Sequence, residues 1–161
     1  MTEQWLPVAG YEGFYEVSDA GRVRSVDRLD SRGHRRRGKV LAQAKGNRHG
    51  HLAVALCAQG EMRTRYVHQL VLGAFVGERP EGMEACHGND NPADNRAENL
   101  RWDTRLANVR DSLRNGNNHN ARKTHCPQGH AYTEDNIYQH PSKGGRICRQ
   151  CRRTQPEGVA E

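Results

Sequence analysis

Residues 88–98 read GNDNPADNRAE, a run of Gly, Pro, Asn and Asp with neither a helical nor a strand period. Such a run must be a loop. Its flanks are ordered. Met83-Glu84-Ala85-Cys86-His87 predicts a short strand before it and Leu100-Arg101-Trp102 a second one after it. Asp103-Thr104 supplies an N-cap, and Leu106, Val109 and Leu113 repeat at helical spacing as an apolar stripe. Strand, loop, strand and helix therefore follow one another over residues 83–113, and the rest of the chain is read around them.

Upstream, Phe14, Glu16 and Ser18 alternate with Tyr15 and Val17, a turn follows at residues 18–21, and Val23 and Val26 come next, which predicts a hairpin. Trp5, Tyr11, Phe14 and Tyr15 supply its packing face. Residues 28–39 show no period and read as a basic loop. Residues 51–57 and 62–66 predict a second hairpin around the turn at 58–61, with Cys57 as a small core residue. Val67, Leu70, Val71, Ala74 and Phe75 then take helical spacing, so a short amphipathic helix ends near Gly77.

Hydrophobic residues make up 34% of the 161 and mean hydropathy is -1.00, too polar for one large core. Small modules fit better. The shortage is sharpest after residue 124. There Cys126-x3-His130 is followed by Cys148-x2-Cys151 among few apolar side chains. Three thiolates and an imidazole in two close pairs are a tetrahedral set for Zn²⁺, whose binding would provide the folding energy. His125 is a competing ligand for the position of His130. A full Cys₃His shell leaves no site for water, so this zinc is read as structural.

Charge is distributed unevenly. Net charge is +6, but residues 22–48 hold ten Lys/Arg against two Asp, and residues 122–153 hold seven against two acids. Residues 62–112 are near neutral, with seven Arg and eight acids. Two basic flanks around a neutral centre suit a polyanion gripped on both sides of a reaction site. Arg35, Arg36, Arg37 and Lys39 are the candidates for phosphate contacts in the first flank, and Arg149 lies in the second. No apolar run reaches the roughly 20 residues needed to cross a bilayer, and no secretory signal opens the chain. An intracellular, cytoplasmic protein without membrane contact is expected, in which cysteines are thiols or ligands rather than disulfides.

In the central unit, His87 ends a strand beside a polar loop, where a neutral imidazole can take a proton from water. Asn108 lies off the apolar stripe of its helix, where its amide oxygen can meet a hard cation such as Mg²⁺. A base and a cation together suffice to hydrolyse a phosphodiester.

The constellation resembles the ββα-metal site of HNH endonucleases. His87, Asn99 twelve positions later and Asn108 twenty-one positions later stand at that family's spacing, and the Asn99-Leu100-Arg101-Trp102 run and the VHQLVLGAF segment at 67–75 match it as well. The resemblance implies that His87 is the general base, that Asn99 braces the loop, that Asn108 binds the cation and that His68 supports the site. It also marks a departure. The residue before the base is commonly Asp, Asn or His, and here it is Cys86, a poor ligand for Mg²⁺. Either fewer protein ligands hold the metal, or the metal is softer, or Cys86 is only packed, with Asp90 or Asp103 compensating.

Residues 1–30 further resemble a motif found at the N-terminus of homing-type nucleases, through Trp5, Gly10-Tyr11-Glu12-Gly13, Tyr15-Glu16-Val17-Ser18 and Gly21-Arg22-Val23-Arg24-Ser25. That implies a DNA-contacting or supporting β element and puts Arg22 and Arg24 among the DNA-binding residues, with Arg105 beside the central site. A zinc ribbon follows the nuclease motif in some phage-type relatives.

The expectation is an α+β protein. A β-rich N-terminal region spans residues 1–60, an HNH nuclease domain 61–114, a linker 115–124, a zinc module 125–153 and a disordered tail 154–161. Its function would be Mg²⁺- or Mn²⁺-dependent cleavage of double-stranded DNA by a monomer or weak dimer, in the host cytoplasm if phage-encoded; a monomer would nick one strand, and two-strand cleavage would require a dimer or two encounters. The alternatives are a DNA-binding regulator on a catalytically impaired HNH fold, and a zinc-dependent interaction module.

Overall fold

The computed structural model describes residues 2–139 and 145–154. The expected tail at 154–161 lies outside them but for Thr154. Residues through Asn115 form one compact unit and those from Gly116 a second.

The first unit opens with a three-stranded antiparallel sheet, β1 (Trp5–Pro7), β2 (Tyr15–Ser18) and β3 (Val23–Ser25), in the order β1-β2-β3. Val17 and Val23 face each other across β2 and β3 and are fully buried. Next, β4 (Arg28–Leu29) pairs with β5 (Arg35–Arg36), so the basic stretch is a small hairpin rather than an irregular loop. Asp30 nucleates it by accepting from the backbone N–H groups of Arg32 and His34 at 3.0 and 2.9 Å.

A second sheet has the order β6 (Ala44–Lys45), β7 (Leu52–Ala58), β8 (Glu61–Tyr66). Gln59 and Gly60, both at positive φ, make the two-residue turn between its long strands. The expected boundary at 60/61 falls in this turn and does not separate packing units. Val8, Tyr11, Tyr15, Val17, Val23, Val54, Leu56, Val67, Val71, Leu72 and Leu100 form one core drawn from both sides of it. The Tyr15 hydroxyl ties β2 to β7, accepting from the Cys57 N–H and donating to its carbonyl. Cys57 is exposed, contrary to the expectation of a core residue, because it follows buried Leu56 on the strand's opposite face.

Helix α1 (Val67–Phe75) buries Val67, His68, Val71 and Leu72. The loop after it leads into β9 (Glu84–His87), which pairs antiparallel with β10 (Leu100–Asp103). Trp102 Nε1 donates to Gly77 O at 3.0 Å, pinning β10 to the end of α1. Thr104 caps α2 (Arg105–Arg114) by accepting from the Ala107 N–H.

The orientation of α2 reverses the expected one. Leu106, Val109 and Leu113 are 60%, 41% and 51% exposed, whereas Asp111 is buried. The helix docks by its polar side. Asp111 pairs with Arg101 of β10 and with Arg114, and Asn115 donates to Gly88 O at 2.9 Å. A buried carboxylate matched to a guanidinium outweighs an apolar stripe where the surface beneath is itself polar.

The second unit contains α3 (His119–Arg122), β11 (Ile137–Gln139) paired with β12 (Arg146–Cys148), and α4 (Arg149–Thr154). No helix among the described residues is long and apolar enough to cross a membrane.

Candidate active site and metal-binding cluster

His87 stands at the end of β9, 6% exposed. Its Nε2 lies 3.1 Å from Asn95 Oδ1; as the donor to that oxygen Nε2 would carry the proton and leave a lone pair on Nδ1. Burial lowers the pKa of His87 against the raising effect of that hydrogen bond and of Asp94 and Asp90, which favours the neutral ring at pH 7. His68, buried at the start of α1, stacks on Tyr66 and sits 5.3 Å from the His87 ring, centroid to centroid. Burial lowers the pKa of His68 to about 4.

The polar loop is closed by its own amides. Asn99 accepts from the Asn89 N–H at 3.1 Å and donates to Asn89 Oδ1 at 3.0 Å and to Asp94 O at 2.8 Å. These are the bonds a loop brace needs. Asn95 is held from outside by the N-terminal motif. Ala97 N–H donates to Asp19 O at 2.8 Å, and the Gly21 backbone presses against Asn95 so closely that a Cβ there would sit 2.8 Å from Asn95 O.

One open cleft of about 440 Å³ is lined by His49, His51, Glu84, Ala85, His87, Asp90, Pro92 and Asn108. Asn108 Nδ2 donates to Glu84 Oε1 at 2.9 Å, so a carboxylate and an amide oxygen stand together beside the base. Oxygen donors of this kind fit a hard divalent cation. Cys86 does not join them. It is fully buried, its Sγ faces Glu84 O at 3.6 Å, and burial pushes its thiol up to about 11, so no thiolate is offered at neutral pH. Cys86 is packed in the structure, and Glu84 joins Asn108 as a candidate ligand. Asp103 is turned away to Arg101 at 2.9 Å, and Asp90 lines the cleft. At pH 8, iodoacetamide is therefore expected to label Cys57 and to leave Cys86 unmodified in the folded protein, read by peptide mass. Comparable labelling of both would refute the burial of Cys86.

Glu84, His51 and Asn95 were not singled out in the sequence. Glu84 is the one acid of its strand, a signal available to inspection. Nothing local marks Asn95 among the other Asn residues of its loop.

The candidate DNA-contacting side chains are not gathered at the cleft. Arg22 pairs with Glu3, Arg24 with Glu16, Arg35 with Asp27 and Arg36 with Asp30. Arg24 also lies over the Trp5 ring at 4.1 Å. Arg37, Lys39 and Arg105 have no ion pair among the described residues and are exposed. Arg149 donates to Ile137 O at 3.0 Å within the second unit. Exposed pairs such as Arg35–Asp27 hold weakly and exchange readily for a phosphate.

In the second unit Cys126, His130, Cys148 and Cys151 converge. His130 Nδ1 lies 3.6, 3.7 and 3.3 Å from the sulfurs of Cys126, Cys148 and Cys151, and the sulfurs of Cys126 and Cys151 are 3.6 Å apart. Tetrahedral Zn²⁺, with bonds of about 2.0–2.3 Å, would space its donors about 3.5–3.8 Å apart. The residues fit that ion. His125 turns instead to Thr124 Oγ1.

Comparison with known proteins agrees with this architecture. Residues 3–57 match the NUMOD4 motif and residues 65–110 the HNH endonuclease family. DNA endonuclease I-HmuI of Bacillus phage SP01 is 32% identical over 113 residues, covering 70% of this chain and 59% of the relative. The uncharacterized HNH endonuclease L247 of Acanthamoeba polyphaga mimivirus is 33% identical over 119 residues, 71% of this chain and 27% of that one. The chain thus spans less than two thirds of either relative. The solved structure of the HNH homing endonuclease I-HmuI, described for DNA binding and cleavage, superposes with a TM-score of 0.58 at 32% identity, covering 71% of this chain and 60% of that one. Residues 65–110 are thus an HNH endonuclease domain, and the NUMOD4 motif of residues 3–57 packs onto it.

Proposed function

We propose that the protein is a divalent-metal-dependent DNA endonuclease that hydrolyses one phosphodiester of duplex DNA per encounter, nicking as a monomer. The observation that carries this reading is the cleft in which His87, hydrogen-bonded through Nε2 to Asn95, stands with Glu84 and Asn108. His87 Nδ1 takes the proton of the attacking water, and Asn95 keeps the ring in the tautomer that can do so. Asn99 holds the loop that carries Asn95, and His68 packs behind the base. Glu84 and Asn108 are the residues that hold Mg²⁺ or Mn²⁺, which when bound neutralises charge on the scissile phosphate and the leaving oxygen. Arg22, Arg24, Arg35, Arg36, Arg37, Lys39 and Arg105 contact backbone phosphates, which gives affinity without sequence readout. The same reading gives Cys126, His130, Cys148 and Cys151 a structural Zn²⁺, with Arg149 as a further phosphate contact.

A time course on supercoiled plasmid tests the nicking reading. One His87 per chain predicts that open circles accumulate before linear molecules, and linear product appearing first would contradict it. Glu84→Gln keeps an acceptor for Asn108 Nδ2 and removes the charge. It is expected to raise the Mg²⁺ concentration for half-maximal cleavage by about tenfold or more. An unchanged Mg²⁺ titration would remove Glu84 from the ligand set.

A further inference from the structure

Three histidines meet at the cleft, two of them, His51 and His87, in its lining. The rings of His51, His68 and His87 lie 4.8, 5.4 and 5.3 Å apart, centroid to centroid, and one nitrogen from each falls within 4.8 Å of the other two. Catalysis as described uses His87 as base and His68 as support, and gives His51 no task. The cluster is also costly as packing. His51 Nδ1 and His68 Nδ1 are buried without a hydrogen-bond partner, and the His68 residue is 7% exposed. Unsatisfied buried polar atoms cost about 1–3 kcal/mol each, which apolar rings in their place would avoid. Three imidazoles that bring a nitrogen each within 4.8 Å of the others are instead a donor set that suits a borderline cation.

We propose that His51, His68 and His87 form a second metal site, selective for a transition-metal ion such as Zn²⁺ over Mg²⁺, and that its occupation switches cleavage off. Selectivity follows from the donors, since three imidazoles suit Zn²⁺ whereas Mg²⁺ prefers the oxygens of Glu84 and Asn108. Tetrahedral zinc would draw the nitrogens to about 3.3 Å from one another. His51, only half-buried at the cleft wall, is the ring with room to move for that approach. The switch follows from a conflict over one atom. Asn95 occupies His87 Nε2, so Nδ1 is the lone pair that either takes the proton of water or binds the ion. This last step rests on His87 being the base, whereas the site itself does not.

The full-length protein is loaded with Zn²⁺, freed of excess by gel filtration and analysed for bound metal. Two zinc ions per chain are expected, one in the Cys₃His cluster and one in the histidine cluster, and His51→Gln should retain one. Loss of an outer partner alone lowers metal affinity by about 10–100-fold, so loss of a ligand should weaken the second site at least about tenfold. His68→Gln is the second variant, and circular dichroism reports whether each is folded. Equal zinc content in wild type and both folded variants would overturn the site. Plasmid cleavage under constant Mg²⁺ is then titrated with Zn²⁺, each protein normalised to its own uninhibited rate. Inhibition moving to at least about tenfold higher Zn²⁺ in His51→Gln supports the switch. Identical inhibition curves despite the lost ion would overturn it. The metal count needs no cleavage, so failure of the nuclease reading and failure of the site are told apart.

Discussion

Gly21→Ala is expected to abolish most cleavage, although residue 21 lies far from His87 in the chain and contacts no substrate group in the proposed mechanism. Gly21 has φ +77°, and a Cβ there would stand 2.8–2.9 Å from the backbone and Cβ of Asn95. Backbone at positive φ costs an L-residue about 1–3 kcal/mol. Overpacking adds about 1–3 kcal/mol more unless the neighbour moves. The neighbour here is the residue that orients the base. Either the turn at residues 18–21 distorts or the loop at 88–98 shifts, and in both cases the Asn95–His87 hydrogen bond is lost. Misplacement by an ångström costs about 10²-fold in rate. The check is cleavage rate together with thermal unfolding. A folded variant with a wild-type rate would show that the N-terminal motif does not position the site.

The second large effect concerns the metal cluster at Cys126, His130, Cys148 and Cys151. The described part of that unit buries hardly any side chains besides Cys126 and Cys148. A core so small does not offset the conformational entropy of folding. Zinc binding of this type provides about 10–16 kcal/mol in small metal-folded peptides. Chelation, or Cys148→Ser, is therefore expected to unfold the unit from Gly116 onward. The core of residues 1–115 uses none of these ligands and should survive. Limited proteolysis reads this directly, with new cuts confined to positions after 115. Unchanged protection of the second unit after metal removal would show that it folds without the ion.

Much of this was legible in the residues because local rules and global packing agree. The loop at 88–98 could be nothing else, Val67–Phe75 carried a clear helical period, and the Gln59-Gly60 turn announced its hairpin. The resemblance to HNH endonucleases, carried by the spacing of His87, Asn99 and Asn108, was what pointed to these three together. What escaped notice depends on contacts distant in sequence. The stripe of Leu106, Val109 and Leu113 is exposed because Asp111 finds Arg101 on β10, a pairing that periodicity does not see. Asn95 is one amide among several until Gly21 presses it against His87. His51 sits at the start of a hairpin strand with no motif around it, and only the closure of that strand over α1 and β9 brings it to His68. Cys86 stands where a metal-binding residue is common in the family, and that it is buried is a matter of packing that the sequence does not show.

The most direct test is cleavage of supercoiled plasmid in Mg²⁺ by the wild-type protein and by His87→Ala, with DNA binding measured for both. The wild type should convert the plasmid to open circles, and His87→Ala should bind equally well while cleaving about 10²–10⁴-fold more slowly. Equal cleavage by the two would remove His87 as the base. Failure of both to cleave in Mg²⁺ or Mn²⁺, with DNA still bound, would contradict the nuclease and leave a DNA-binding protein on an HNH fold.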